Sequence, residues 1–99
     1  MEIGLKEKKI IADVLQSIPE AAHLTAVVFG SHARDDASFG SDIDIGLERK
    51  DGMPLQPGLL QDIQEALENS PLEQRVEVVD LARASDSFRN EALSHTIAI

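Results

Sequence analysis

Cysteine is missing from all 99 residues. The chain can therefore build no disulfide framework, no thiolate zinc site and no thiol nucleophile. Basic residues are scarce: nine Lys and Arg stand against eighteen Asp and Glu, giving a formal net charge of -9. Duplex nucleic acid and anionic membrane surfaces both demand clustered Lys and Arg, so neither is expected as a direct partner. Long apolar runs are absent as well. None approaches the ~20 residues of a membrane span, and the charged start, residues 1–9, lacks the apolar centre of a signal peptide. No internal repeat and no low-complexity segment is visible. Together these absences predict a cytoplasmic globular protein.

What is present fits that class. The 42% hydrophobic content is ordinary for a folded protein and too high for a disordered acidic tail. The length allows one core, hence a single domain over residues 1–99. Such a domain hides only about 60–65% of its unfolded surface, so it is marginal by itself.

Hydrophobic spacing divides the chain into six elements and a tail. Leu5, Ile10, Ile11, Val14, Leu15 and Ile18 follow helical spacing and Pro19 stops it, which predicts a helix over 5–17. The Val-rich run 24–29, closed by Gly30, reads as a buried strand, with a turn or first helical turn over 31–36. Residues 41–47 alternate, with Asp42, Asp44 and Gly46 on one side and Ile43, Ile45 and Leu47 on the other, as in a half-buried strand. Two Pro, two Gly and three charges mark 49–58 as a loop. A helix over 59–67 ends at Asn69-Ser70-Pro71, a strand follows over 75–81, and a last helix over 85–93 takes Ser85 as its cap. The β-branched tail 96–99 suits an edge strand or a docking segment. This order predicts an α/β (α+β) fold, a small mixed β-sheet with helices packed mainly on one face.

The chemistry is concentrated in Val28-Phe29-Gly30-Ser31-His32-Ala33-Arg34 and Gly40-Ser41-Asp42-Ile43-Asp44. Gly30 ends a strand and lets a ligand approach the backbone without a Cβ in the way. Ser31 offers a hydroxyl and an amide where a helix would begin, an arrangement suited to phosphate oxygens. Asp42 and Asp44, two apart on a strand, point to one face with Cα atoms roughly 6.5 Å apart. Side-by-side carboxylates repel unless a cation lies between them, and hard oxygen donors suit Mg²⁺ or Mn²⁺. A phosphate cradle beside a divalent-metal clamp is equipment for phosphoryl or nucleotidyl transfer. Asp35 and Asp36 add negative charge near the cradle, which Arg34 could offset by pairing with a phosphate. His23, His32 and His95 read as loop or structural residues.

Gly30-Ser31, ten residues and then Asp42-Ile43-Asp44 resembles the signature of the DNA polymerase β-type nucleotidyltransferase superfamily. The flanking Ala33-Arg34 and Gly40-Ser41-Asp42 are similar to those of minimal nucleotidyltransferase (MNT) proteins, the antitoxin halves of HEPN/MNT toxin–antitoxin pairs. The likeness extends over roughly residues 24–95, through the strand Arg75-Val76-Glu77-Val78-Val79-Asp80-Leu81 and the following Phe88-Arg89. It implies a polymerase β palm-like fold with a third carboxylate on a neighbouring strand. Glu77 and Asp80 are the two choices. Three apart on a strand, they point to opposite faces, so only one can join the pair. The family's usual Val-Asp-Leu-Val pattern favours Glu77, with Asp80 the alternative, although Glu lengthens the arm by one methylene. Asp35 also departs from the Gly that often follows Ala-Arg in the family.

The resemblance implies a metal-dependent nucleotidyltransferase of the EC 2.7.7 class. Asp42, Asp44 and Glu77 would be its catalytic and metal residues, holding two Mg²⁺ ions, with ATP as substrate. Gly30, Ser31, Arg34 and Ser41 would bind the nucleotide. The acceptor implied is a tyrosine hydroxyl of a HEPN toxin, silenced by AMPylation. The alternative is a binding module that neutralises or supports a helical partner by contact alone. Either way the short chain calls for a partner in a hetero-oligomer, a helical toxin or a helical substrate-binding subunit, because it carries no further domain to hold an acceptor. Transfer to a small molecule lacks an enclosing domain, and polymerase activity lacks a basic groove for a template.

Overall fold

The computed structural model describes residues 4–30 and 42–99. The first helix, α1 (Leu5–Ser17), buries Ile11 and Leu15 one turn apart, with Val14 and Ile18 half-buried beside them. Leu5 departs from expectation and is exposed. It precedes Ile11 by six residues, about 120° round the helix at 100° per residue, and so misses the buried stripe. Pro19 ends the helix and opens a 3₁₀ turn (Pro19–Ala21), which tucks Ala21 into the core.

Among the described residues, four strands make one sheet: β1 (Thr25–Phe29), β2 (Ile43–Glu48), β3 (Val76–Asp80) and β4 (Ile97–Ala98), in the order β3-β2-β1-β4. β1 runs antiparallel to both β2 and β4, whereas β2 and β3 are parallel. The parallel pair is joined through helix α2 (Leu59–Glu68), as a parallel crossover requires. The tail thus forms the expected edge strand, placing Ile97 beside Val28.

Period-two alternation gives the sheet two different faces. Ala26, Val28, Ile43, Ile45, Leu47, Val76 and Val78 point to one side, against α1 and the Leu59, Ile63 and Leu67 stripe of α2. On the other side Phe29 and Leu81 form a much smaller cluster with Ala92 of helix α3 (Asp86–Ser94). Among the described residues, two of the three α-helices therefore cover one face. Ser85 caps α3 as its sequence suggests, its hydroxyl accepting from the Phe88 amide at 3.1 Å. Among the described residues, no helix is long and apolar enough to cross a membrane.

Two contacts lie outside the pattern reading. Leu55, inside the Pro- and Gly-rich loop, is a core residue. Gln64, on α2, lines the outer edge of β3: its amide donates to the Val76 carbonyl at 2.5 Å and accepts from the Val78 amide at 2.9 Å. It thereby satisfies an edge strand that would otherwise present free backbone groups.

Candidate active site

The site is built on the sheet face opposite the main core. Ile43, Ile45 and Leu47 are wholly buried on the core face, so alternation sends Asp44 and Gly46 to the other, with the exposed Asp42 just before the strand. The parallel register then sets Glu77 beside Asp44 and Val79 beside Gly46. On the other flank Phe29 stands opposite Asp44 in the antiparallel pair. Across the sheet the row thus reads Glu77, Asp44, Phe29, with Asp42 one step before Ile43 on the central strand. Glu77 and Asp42 are exposed and Asp44 is half-buried.

Gly30 follows Phe29 with φ +74°, in the left-handed region that favours glycine. A Cβ built on it would lie 2.5 Å from Asp44 Oδ2. The end of β1 and the central carboxylate therefore meet in a contact that no side chain at position 30 would permit. It also shows that the Asp44 carboxylate reaches the end of β1. Among the described residues, no three His, Cys, Asp or Glu side chains stand close enough together to hold a metal ion. The backbone register brings Glu77 and Asp44 to adjoining positions on one face. By chemistry, the carboxylates of Asp44 and Glu77 on paired strands, with Asp42 just before β2, are hard oxygen donors of the kind that suit a divalent cation such as Mg²⁺.

Asp80 lies on the opposite side of the sheet from Glu77, only 5% exposed. Its carboxylate accepts from the Leu55 amide at 3.0 Å and the Ala82 amide at 3.1 Å, and the Arg83 Nε stands 3.3 Å away. Asp80 thus pins the loop before α2 to the end of β3, on the face away from Asp42 and Asp44. Ser31, Arg34 and Ser41, with the turn expected over 31–36, lie outside the described residues.

Of the recesses among the described residues, a larger and a smaller one bear on β2 and its neighbour β1. The larger, about 370 Å³, lies beyond the C-terminal end of β2, among Glu20, His23, Arg49, Lys50 and Asp51, at the opposite end from the carboxylates. Arg49 there is already paired with Asp51 at 2.6 Å. The smaller, about 130 Å³, is lined by Phe29, Gly30, Phe88, Glu91, Ala92 and His95, and Gly30 links it to Asp44. Phe29 and Phe88 meet edge to face, ring centres 5.9 Å apart, and Arg89 pairs with Glu48 at the far end of the same face of β2. Sequence reading missed this pocket, because its walls come from β1 and α3, more than fifty residues apart, and no local pattern joins them.

Comparison with known proteins agrees with this architecture. The family model described as Polymerase beta, Nucleotidyltransferase matches residues 9–99. A chain in a crystal structure of a toxin–antitoxin with AMP-PNP is 27% identical, with a TM-score of 0.72, the match covering 95% of this chain and 72% of that one. A protein assigned as a minimal nucleotidyltransferase is 24% identical with a TM-score of 0.59, covering 98% of this chain and 97% of its own, and shares the fold. No match is found among curated proteins.

Proposed function

The chain belongs to the Polymerase beta nucleotidyltransferase family, and from that premise we propose that it transfers AMP from ATP to a hydroxyl of a helical partner. The partner we favour is a cognate HEPN-type toxin, modified on a tyrosine, which makes this chain an MNT-type antitoxin in the cytoplasm and one half of a hetero-oligomer. The observation that carries the reading is the register pairing of Glu77 with Asp44, next to Asp42 and a Gly30 whose bare Cα adjoins the same carboxylate. The likeness to a chain from a toxin–antitoxin complex holding AMP-PNP supports both the nucleotide and the partner.

In this reading Asp42, Asp44 and Glu77 hold Mg²⁺, which when bound neutralises the triphosphate and the charge that develops on it. Glu77, exposed at the β3 side of the row, faces the acceptor and takes the proton from its hydroxyl oxygen. That oxygen forms a bond to the α-phosphorus, the bond to the bridging oxygen of the β-phosphate breaks, and pyrophosphate leaves. Gly30 lets the triphosphate approach the backbone closely. Ser31, Arg34 and Ser41 are assigned to the phosphates by their place in the motif.

The test is transfer of label from α-labelled ATP to the purified toxin in the presence of Mg²⁺. Labelling is expected for the wild type and loss for the Asp42→Ala, Asp44→Ala double variant. Equal labelling by the two would overturn the proposal. If the double variant binds and neutralises the toxin fully in cells, the chain works by contact alone.

A further inference from the structure

We infer that the pocket between β1 and α3 is the subsite for the nucleobase, and that it selects a base bearing an exocyclic amino group, adenine above all. The inference rests on the nucleotidyltransferase reading and adds to it which side of the carboxylate row the nucleoside occupies and what reads it.

The position follows from sheet order. Glu77 on β3, Asp44 on β2 and Phe29 on β1 stand in one row across the sheet. Glu77 ends the row on one side, where the acceptor enters. The pocket begins at Phe29 and Gly30 on the other side, so a nucleotide whose α-phosphate lies at the carboxylates reaches it without crossing the acceptor's path.

The size and lining choose the base over the rest of the nucleotide. About 130 Å³ is well below the ~300–1,000 Å³ of a site that encloses a whole ligand, and it suits one planar ring system. Phe88 is 43% exposed at this wall although it packs edge to face on Phe29, so a ring face is left for stacking. Glu91 puts a carboxylate beside two aromatic rings, a poor setting for pyrophosphate. An ionised carboxylate only accepts hydrogen bonds, so it rewards an amino group and penalises a carbonyl at the same place. His95, exposed at the rim, closes the wall without deciding the selection.

The experiment is equilibrium binding of the full chain, with Mg²⁺, to three probes: ATP, purine riboside triphosphate lacking only the amino group, and inorganic tripolyphosphate. Wild type is expected to bind ATP about tenfold tighter than the deaminated analogue, as a charge-assisted hydrogen bond implies. Glu91→Gln, an exposed helix position, should narrow that ratio toward one. Phe88→Leu should weaken both nucleotides by about five- to tenfold, the scale of lost base stacking, and leave tripolyphosphate unchanged. The Asp42→Ala, Asp44→Ala variant should lose all three probes. Glu91→Gln and Phe88→Leu binding like wild type, with the double Asp variant still defective, would overturn the base subsite alone. Absence of binding by wild type to any probe would overturn it together with the transferase reading.

Discussion

Replacing Asp80 by alanine should cost the fold several times what replacing Glu77 costs, although both are acids of the same strand. Asp80 is 5% exposed and accepts from the amides of Leu55 and Ala82 at 3.0 and 3.1 Å. A hydrogen bond to a charged group contributes about 1.5–3 kcal/mol. The Ala82 amide is only part-buried and can turn to water, so it counts at the low end. The Arg83 side chain is 64% exposed, and such a pair adds about 0–1 kcal/mol. Taken at the low end throughout, the sum is about 3 kcal/mol. Against the ~5–15 kcal/mol that holds a small domain, that is a large share. At ~4–8 °C per kcal/mol for a domain of this size, it lowers the Tm by about 12–24 °C. Asp80→Asn keeps one acceptor oxygen and should recover about half. Glu77 is exposed, so Glu77→Ala should stay within about 0.5 kcal/mol of wild type. Urea titration followed by circular dichroism gives both values. An Asp80→Ala midpoint matching wild type, or a Glu77→Ala protein as unstable as Asp80→Ala, refutes the division of the two acids between opposite faces.

Two further changes probe the sheet and the site. Gln64→Ala removes two hydrogen bonds to the β3 edge and should cost about 1–3 kcal/mol; it also bares that edge, so light scattering should show association rising with concentration, and a monomer as stable as wild type counts against the edge-guard role. Gly30→Ala forces a left-handed residue, at about 1–2 kcal/mol, and brings a Cβ to 2.5 Å from Asp44 Oδ2; displacing that carboxylate should weaken Mg²⁺–ATP binding by at least about tenfold in calorimetry, and unchanged affinity contradicts the close approach.

Much of the fold is legible because it is periodic. The helix over Leu5–Ser17 has the bounds its spacing predicts, and the strands agree to within a residue or two. In the fold Val76 and Val78 turn inward on either side of Glu77, whereas from sequence the preference for Glu77 over Asp80 rests on the family pattern. What could not be read depends on partners distant in sequence. Leu55 looks like loop because Pro and Gly surround it, yet it packs in the core with its amide bonded to an acid twenty-five residues away. Gln64 resembles a wet-side helix residue until β3 is placed beside it. The small pocket needs α3 brought under the end of β1, and no local pattern predicts that docking. The phosphate-binding assignments of Ser31, Arg34 and Ser41 rest on the motif.

The inequality of the two cores has a consequence for how the molecule comes apart. Among the described residues, the main core joins α1, α2 and every strand, while α3 is held by a small cluster of Phe29, Leu81 and Ala92 flanked by Val27 and Val79, an edge-to-face ring contact, an ion pair with Glu48 and a serine cap. Segments with so few buried contacts open at a fraction of the global free energy. The amides of α3 should therefore exchange with solvent deuterium long before those of β2, releasing one wall of the small pocket while the carboxylate strands stay paired.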